Sequence, residues 1–140
     1  LTGDTNDLLF FSTTDQKITP VTHGIHGLSN HTLDTSWPKV KTARRGLEKC
    51  LYKSRDPLEK ELMEFMTDRT RAEDSELPDT GIGIEFERAL SSCFISMKGY
   101  GTRSTSLMTL DHNSKFTFSE ITWGPACEKI AKKKITLVAI

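Results

Sequence analysis

Three histidines fall close together near the start of the chain, His23, His26 and His31 in THGIHGLSNHTLDTSWPKV, and imidazoles at such spacings can converge on one metal ion. A single histidine also suffices to hold haem iron axially. However, the segment is a glycine-broken loop with no Asp, Glu or Cys placed beside the histidines as an obvious further ligand. No CxxCH is present for covalent haem attachment. The residues therefore predict no metal site, and His23 and His26 are left as weak haem-ligand candidates beside the alternative of turn histidines bonded to nearby backbone.

A second stretch with chemical content is GYGTRSTS, Gly99 to Ser106. It is not a phosphate-binding P-loop, because GxxxxGK[ST] is absent and the residues after it read as strand and not as helix. Arg103 at a strand mouth can clamp a carboxylate or phosphate bidentately. Thr102 and Ser104 stand beside it with hydroxyls, and Gly99, Tyr100 and Gly101 precede it in a segment whose glycines admit a close backbone approach. The equal alternative is a glycine-containing turn leading into a solvated strand face.

The cysteines offer less. Cys93 alternates with Ile95 and Met97 in a strand-like run, and Cys50 lies on a helical apolar stripe, so both read as core residues and not as nucleophiles. Three cysteines without CxxC argue against a disulfide framework or a zinc cluster, and they fit a reducing, intracellular compartment. The acidic run Glu73, Asp74, Glu76 and Asp79 lacks the calcium-loop order of oxygen ligands and reads as a solvated loop.

These residues must be positioned by a small scaffold. The 140 residues fit one domain or part of a larger one, and 19 basic against 19 acidic side chains give no global field toward nucleic acid or an anionic membrane. No run of apolar residues is long enough for a membrane-spanning helix, and LTGDTNDLLFF lacks the features of a signal peptide. With a strand beginning at Leu8, the amino end reads as a cut through a longer protein. LLFFST and KITPV predict a hairpin turning through Thr14, Asp15 and Gln16, with Pro20 marking an edge. Val40, Ala43, Leu47, Cys50 and Leu51 recur at helical spacing behind Trp37 and Pro38. A second helix is expected from a cap at Asp56, with Pro57 behind it and Leu58, Leu62, Met63, Phe65 and Met66 on its apolar side. ALSSCFISM, RSTSLMTL and KFTFSEITW then predict an antiparallel meander. AKKKITLVAI is either one more strand or a tail, so that 124–140 can be set apart. The sum is an α+β arrangement, an antiparallel sheet with a helix pair on one face.

Taken in order, THGIHGLSNHTLDTSWPKV, LPDTGIGIE, LSSCFI, GYGTRSTS and FTFSE resemble the carboxyl half of the NRDE family, also called the transport and Golgi organisation protein 2 family, over about Thr22 to Glu120. The resemblance implies a partial domain, the C-terminal part of an N-terminal-nucleophile-hydrolase-like αββα sandwich. It further implies an intracellular trafficking or homeostasis factor linked to secretory-pathway and Golgi organisation, to haem or lipid handling and to mitochondrial metabolism. Cytoplasmic, mitochondrial or Golgi-associated locations are implied by the same likeness. Full-length members begin with Met-Cys and carry an Asn-Arg-Asp-Glu signature soon after; neither occurs here. Half of an N-terminal-cysteine amide or thioester hydrolase is thus the alternative, and an inactive fragment the simplest outcome. By resemblance, Asn30 could support an oxyanion and Gly99 to Ser104 could hold a small anionic or amphipathic ligand.

Overall fold

The structure is a computed structural model that describes residues 1–3, 7–13, 16–52 and 58–138. Strands β1 (Thr2–Gly3), β2 (Leu8–Phe11) and β3 (Ile18–Val21) form one antiparallel sheet in that order. Pro20 sits on β3 at the sheet's edge, where its missing N–H leaves no gap in the ladder. Thr14 and Asp15 of the expected turn, and the expected cap at Asp56 and Pro57, lie outside the described residues.

Helix α1 (Pro38–Tyr52) begins one residue after Trp37, with proline in the first turn as its chemistry favours. Val40 and Cys50 are buried, whereas Leu51 turns outward. Helix α2 (Leu58–Phe65) buries Leu62 and Met63. The two helices approach closely at Gly46, where a Cβ would lie 2.8 Å from the Phe65 ring.

A third helix, α3 (Ile84–Leu90), corrects the sequence reading, which begins a strand at Ala89. Its exposed Ile84 and Phe86 and its buried Glu87 invert the usual amphipathic pattern, so periodicity conceals it. Beyond it the chain turns through Ser91 to Phe94, and only Ser96–Met97 (β4) pairs, with Tyr100–Gly101 (β5), in a small hairpin. Cys93 is accordingly in a turn and not in a strand.

The main sheet is the meander β6 (Ser104–Leu110), β7 (Lys115–Trp123) and β8 (Lys129–Val138). Its third strand is the carboxyl-terminal run and not ALSSCFISM; most of the segment set apart as a possible tail is a ten-residue strand paired along β7. Helix α2 covers one face. There Glu59 accepts hydrogen bonds from the Ser119 hydroxyl of β7 at 3.0 Å and from Lys132 and Lys134 of β8. On the opposite face, register aligns Met108 with Phe118 and Ile135, and Leu110 with Phe116 and Leu137, in two cross-strand apolar rows. Met108, Leu110, Ile135 and Leu137 are exposed.

Between helices and sheet the core centres on Phe94, 1% exposed, which meets Trp123 edge-on at 5.1 Å. The Arg69 guanidinium lies 4.9 Å from the Phe94 ring centroid. The Trp123 indole N–H donates to the Thr105 hydroxyl at 3.0 Å, so the ring keeps its polar atom bonded. Among the described residues no helix is long and apolar enough to cross a membrane.

Candidate functional site: a half-closed cavity between the histidine loop and helix α3

The loop carrying the histidines is a braced structure. The Asp34 N–H donates to the Gly27 carbonyl at 2.8 Å, and the Asp34 carboxylate accepts from the Gly27 N–H at 2.8 Å. The same carboxylate accepts from His26 Nδ1 at 2.7 Å and lies 3.5 Å from an Arg44 nitrogen on α1. Asp34 holds a positive φ of 59°, which aspartate tolerates better than most residues. A Cβ on Gly27 would lie 2.6 Å from a Val40 methyl, so the absence of a side chain lets the loop seat against α1.

Both nitrogens of His26 face acceptors, the Asp34 carboxylate and, at 2.9 Å, the Thr22 carbonyl. Only the imidazolium donates to both. The hydrogen bond to Asp34 accordingly raises the His26 pKa above its ordinary value. Burial pushes the Asp34 carboxyl up, but the Gly27 N–H, the His26 hydrogen bond and the Arg44 charge together hold it below the usual range.

This bonding bears on haem. Both His26 nitrogens are already engaged, so axial ligation there would first have to displace the bond to Asp34 or to Thr22. His23 is exposed, and His31 bonds the hydroxyls of Thr32 and Thr35 while its ring packs against Trp37 at 5.4 Å. Among the described residues no group of three or more His, Cys, Asp and Glu side chains converges as a metal ion would require.

The loop and its continuation wall a cavity of about 250 Å³. One side is Asn30 with Trp37, Pro38 and Lys39; the other is the Pro78 to Ile82 segment with Glu87, Leu90 and Ser91 of α3 and the turn after it. Lys39 Nζ lies 5.7 Å from the Trp37 ring centroid, within cation–π reach. Burial lowers the Lys39 pKa, with the Cys93 and Glu87 charges acting in the opposite direction. Across the cavity Glu87, 6% exposed, accepts from the Thr80 N–H at 2.8 Å and the Thr80 hydroxyl at 2.6 Å. Lys39 and Glu87 make no direct ion pair.

Cys93 stands next to this cavity but is not poised as a nucleophile. Burial pushes its thiol pKa up, Asp68 adds to that, and Lys39 offsets only part; its S–H points to the Lys39 carbonyl at 3.6 Å.

The GYGTRSTS stretch lies apart from the cavity. Gly99, with φ 78°, turns the β4–β5 hairpin, and a Cβ on Gly101 would lie 2.8 Å from the Ile95 carbonyl oxygen. The Thr102 N–H donates to the Ile95 carbonyl, and the Thr102 hydroxyl accepts from the Ile95 N–H, both at 2.9 Å. The Arg103 carbonyl accepts from the Trp123 N–H at 2.8 Å, while the residue is exposed beside the exposed Tyr100 and Ser104. Asn30 and Arg103 are therefore not brought together. Lys39 and Glu87 escape notice in the sequence because each reads as an ordinary solvated helix charge; only the folded arrangement brings the half-buried Lys39 and the buried Glu87 to the lining of one cavity.

Comparison with known proteins agrees with these blocks. The family model described as Transport and Golgi organisation 2 matches residues 1–125. The chain is 28% identical over 107 residues to the Transport and Golgi organization protein 2 homolog of Homo sapiens, and 27% identical over 107 residues to the Mus musculus homolog. Each match covers 71% of this chain and 39% of the relative, so the chain spans about two fifths of the length of these curated proteins. The match takes in the histidine loop, α1, α3 and the cavity they enclose, and the chain belongs to the Transport and Golgi organisation 2 family.

Proposed function

We propose that this chain serves an intracellular trafficking or homeostasis factor of secretory-pathway and Golgi organisation, and that it does so by binding a small amphipathic molecule in the cavity between Asn30 and Glu87. The observation that carries the reading is the cavity's make-up: apolar walls from Trp37, Pro38, Pro78, Ile82 and Leu90, with charge supplied by Lys39 and Glu87. Binding sites for small molecules are concave, mostly apolar and furnished with a few placed polar groups. At about 250 Å³ the cavity is smaller than the ~300–1,000 Å³ of drug-sized pockets. It suits a lipid-derived or metabolite-sized group better than a haem macrocycle. Action in the cytoplasm, at the Golgi or in mitochondria fits the same reading, and the exposed Arg103 with Gly99 to Ser104 offers a separate surface for an anionic group.

The fold supports this as one half of an αββα sandwich, since α2 packs on one face of β6–β8 and the other face presents apolar rows. The test is Ile82→Trp in the full-length protein. Ile82 is 45% exposed at the rim, so a larger ring there obstructs the cavity without overfilling the core. Cells lacking the protein should fail to recover cargo secretion and Golgi morphology with the folded variant; full recovery refutes the cavity's role.

A second reading rests on Asn30, which lines the cavity as an oxyanion donor would. In it the longer protein is an amide or thioester hydrolase whose nucleophile is an N-terminal cysteine outside this chain, and the raised Cys93 thiol pKa, caused by burial, disfavours Cys93 in that role. Hydrolysis of a simple acyl thioester that is unchanged by Asn30→Ala removes that role for Asn30.

A further inference from the structure

Lys39 and Glu87 bring opposite charges to the lining of one mostly apolar cavity and make no ion pair with each other. Glu87 is buried and Lys39 half-buried, and withdrawing such groups from water is costly unless each finds a partner. Glu87 is partly satisfied, since Thr80 supplies a backbone and a hydroxyl hydrogen bond to Oε1. The Lys39 ammonium lies over the face of Trp37. A ligand with an acidic group alone would answer Lys39 and leave Glu87 facing like charge; one with a basic group alone would do the reverse. A molecule that carries both groups answers both, and the apolar walls take up its side chain.

We propose that the cavity binds a small zwitterion with an apolar body, of the class of the branched apolar α-amino acids, its carboxylate held by the Lys39 ammonium and its ammonium directed to the Glu87 carboxylate. This rests on the cavity being the functional site. The class follows from three features together: the paired opposite charges, the volume of about 250 Å³, and the lining by Trp37, Pro38, Pro78, Ile82 and Leu90. Asn30 at the rim can donate a further hydrogen bond to the bound carboxylate. Two charge-assisted hydrogen bonds in a partly dehydrated site give selectivity as well as affinity, because omitting either charged group leaves Lys39 or Glu87 without its ligand partner.

The test is calorimetric titration of the intact chain with L-leucine, with 4-methylpentanoate, which lacks the ammonium group, and with 3-methylbutylamine, which lacks the carboxylate. Saturable leucine binding is expected, with each analogue weaker by roughly ten-fold or more, the scale of one charge-assisted hydrogen bond. Lys39→Met should weaken leucine similarly without weakening the amine, which loses only a like charge. Glu87 also holds the Thr80 turn, so the analogue series on the unaltered chain decides the matter whether or not Glu87→Gln folds. Equal binding of the acid and leucine overturns the zwitterion assignment, as does the absence of saturable leucine binding. If leucine fails while Ile82→Trp still abolishes cellular rescue, the ligand class is wrong and the cavity's role stands; if both fail, the cavity is not the functional site.

Discussion

Replacing Glu59 by glutamine should loosen the polar tie between helix α2 and the far strand of the main sheet, and the cost can be worked from the site. The Glu59 carboxylate accepts from Lys134, Lys132 and the Ser119 hydroxyl, and these hydrogen bonds, Lys134 foremost, depress its pKa from 4.5 to about 2 against an opposing desolvation. At about 1.36 kcal/mol per unit, a fully transmitted shift would correspond to roughly 3 kcal/mol. The lysine side chains are 41% and 51% exposed, however, so water screens them and about 1 kcal/mol is the realistic loss. Because the folded pKa is depressed, the stabilisation is present above the unfolded value and is lost as pH falls through the folded one. It should be complete near neutrality, less than half retained at about pH 3, and nearly gone at about pH 2. Urea unfolding followed by tryptophan fluorescence should place the Glu59→Gln midpoint roughly 0.5 M below the parent near neutral pH, with the two curves converging in acid. Equal midpoints at neutral pH, or a gap that persists undiminished in acid, would refute the reasoning.

The His26–Asp34 clamp has the opposite pH sign on its histidine side: with the folded His26 pKa raised, its contribution is whole below the unfolded value near 6.5 and is lost as pH rises through the folded value, so amide exchange in the Thr22–Asp34 loop should quicken with that titration beyond the intrinsic base dependence. The same acceleration in His26→Phe at all pH values would complete the check, and an indifferent loop would sink it. Gly46→Ala gains helix propensity of about 1 kcal/mol but drives a methyl against the Phe65 ring, so a net loss of roughly 1–2 kcal/mol is expected in thermal unfolding; a more stable variant would mean that α2 shifts freely. Thr102→Val keeps the shape but abandons the Ile95 N–H, and should cost about 1–2 kcal/mol, whereas Arg103→Ala should leave stability within about 0.5 kcal/mol. A reversed order in chemical denaturation would contradict the assignment of Thr102 to the turn and Arg103 to the surface.

Much of the scaffold can be read from residue spacing, because α1 and α2 bury Val40, Cys50, Leu62 and Met63 at helical spacing, and the turn residues from Asp111 to Ser114 separate β6 from β7. Pro38 and the Val40 stripe locate α1 to within a residue or two, and the edge position of Pro20 follows from its missing N–H. Helix α3 is concealed by its own chemistry: its outward faces carry Ile84 and Phe86, and the side chains it buries are the Glu87 carboxylate and the small Ala89. The triple lysine of β8 likewise hides a strand, since Lys132 and Lys134 turn toward Glu59 while Lys133 turns away, an alternation that identical residue types cannot display. At the cavity, Asn30 stands out in the sequence, but the opposition of Lys39 and Glu87 exists only once the Pro78 to Ile82 segment folds back over Trp37. GYGTRSTS shows the reverse problem, for residues suited to binding an anion are here engaged, through Gly101 and Thr102, in fastening one hairpin to the next.

The two apolar rows on the open face of β6–β8 have a consequence for how the chain behaves in bulk. With 19 basic and 19 acidic side chains its formal net charge at pH 7 is zero, so little long-range repulsion keeps molecules apart once those rows meet. Colloidal stability should therefore be poorest near neutrality, worsen with ammonium sulfate and improve on either side of pH 7, with light scattering following the charge and not the unfolding transition. Substituting lysine for Met108 and Ile135, which are 68% and 54% exposed, should suppress that association while leaving the fold in place.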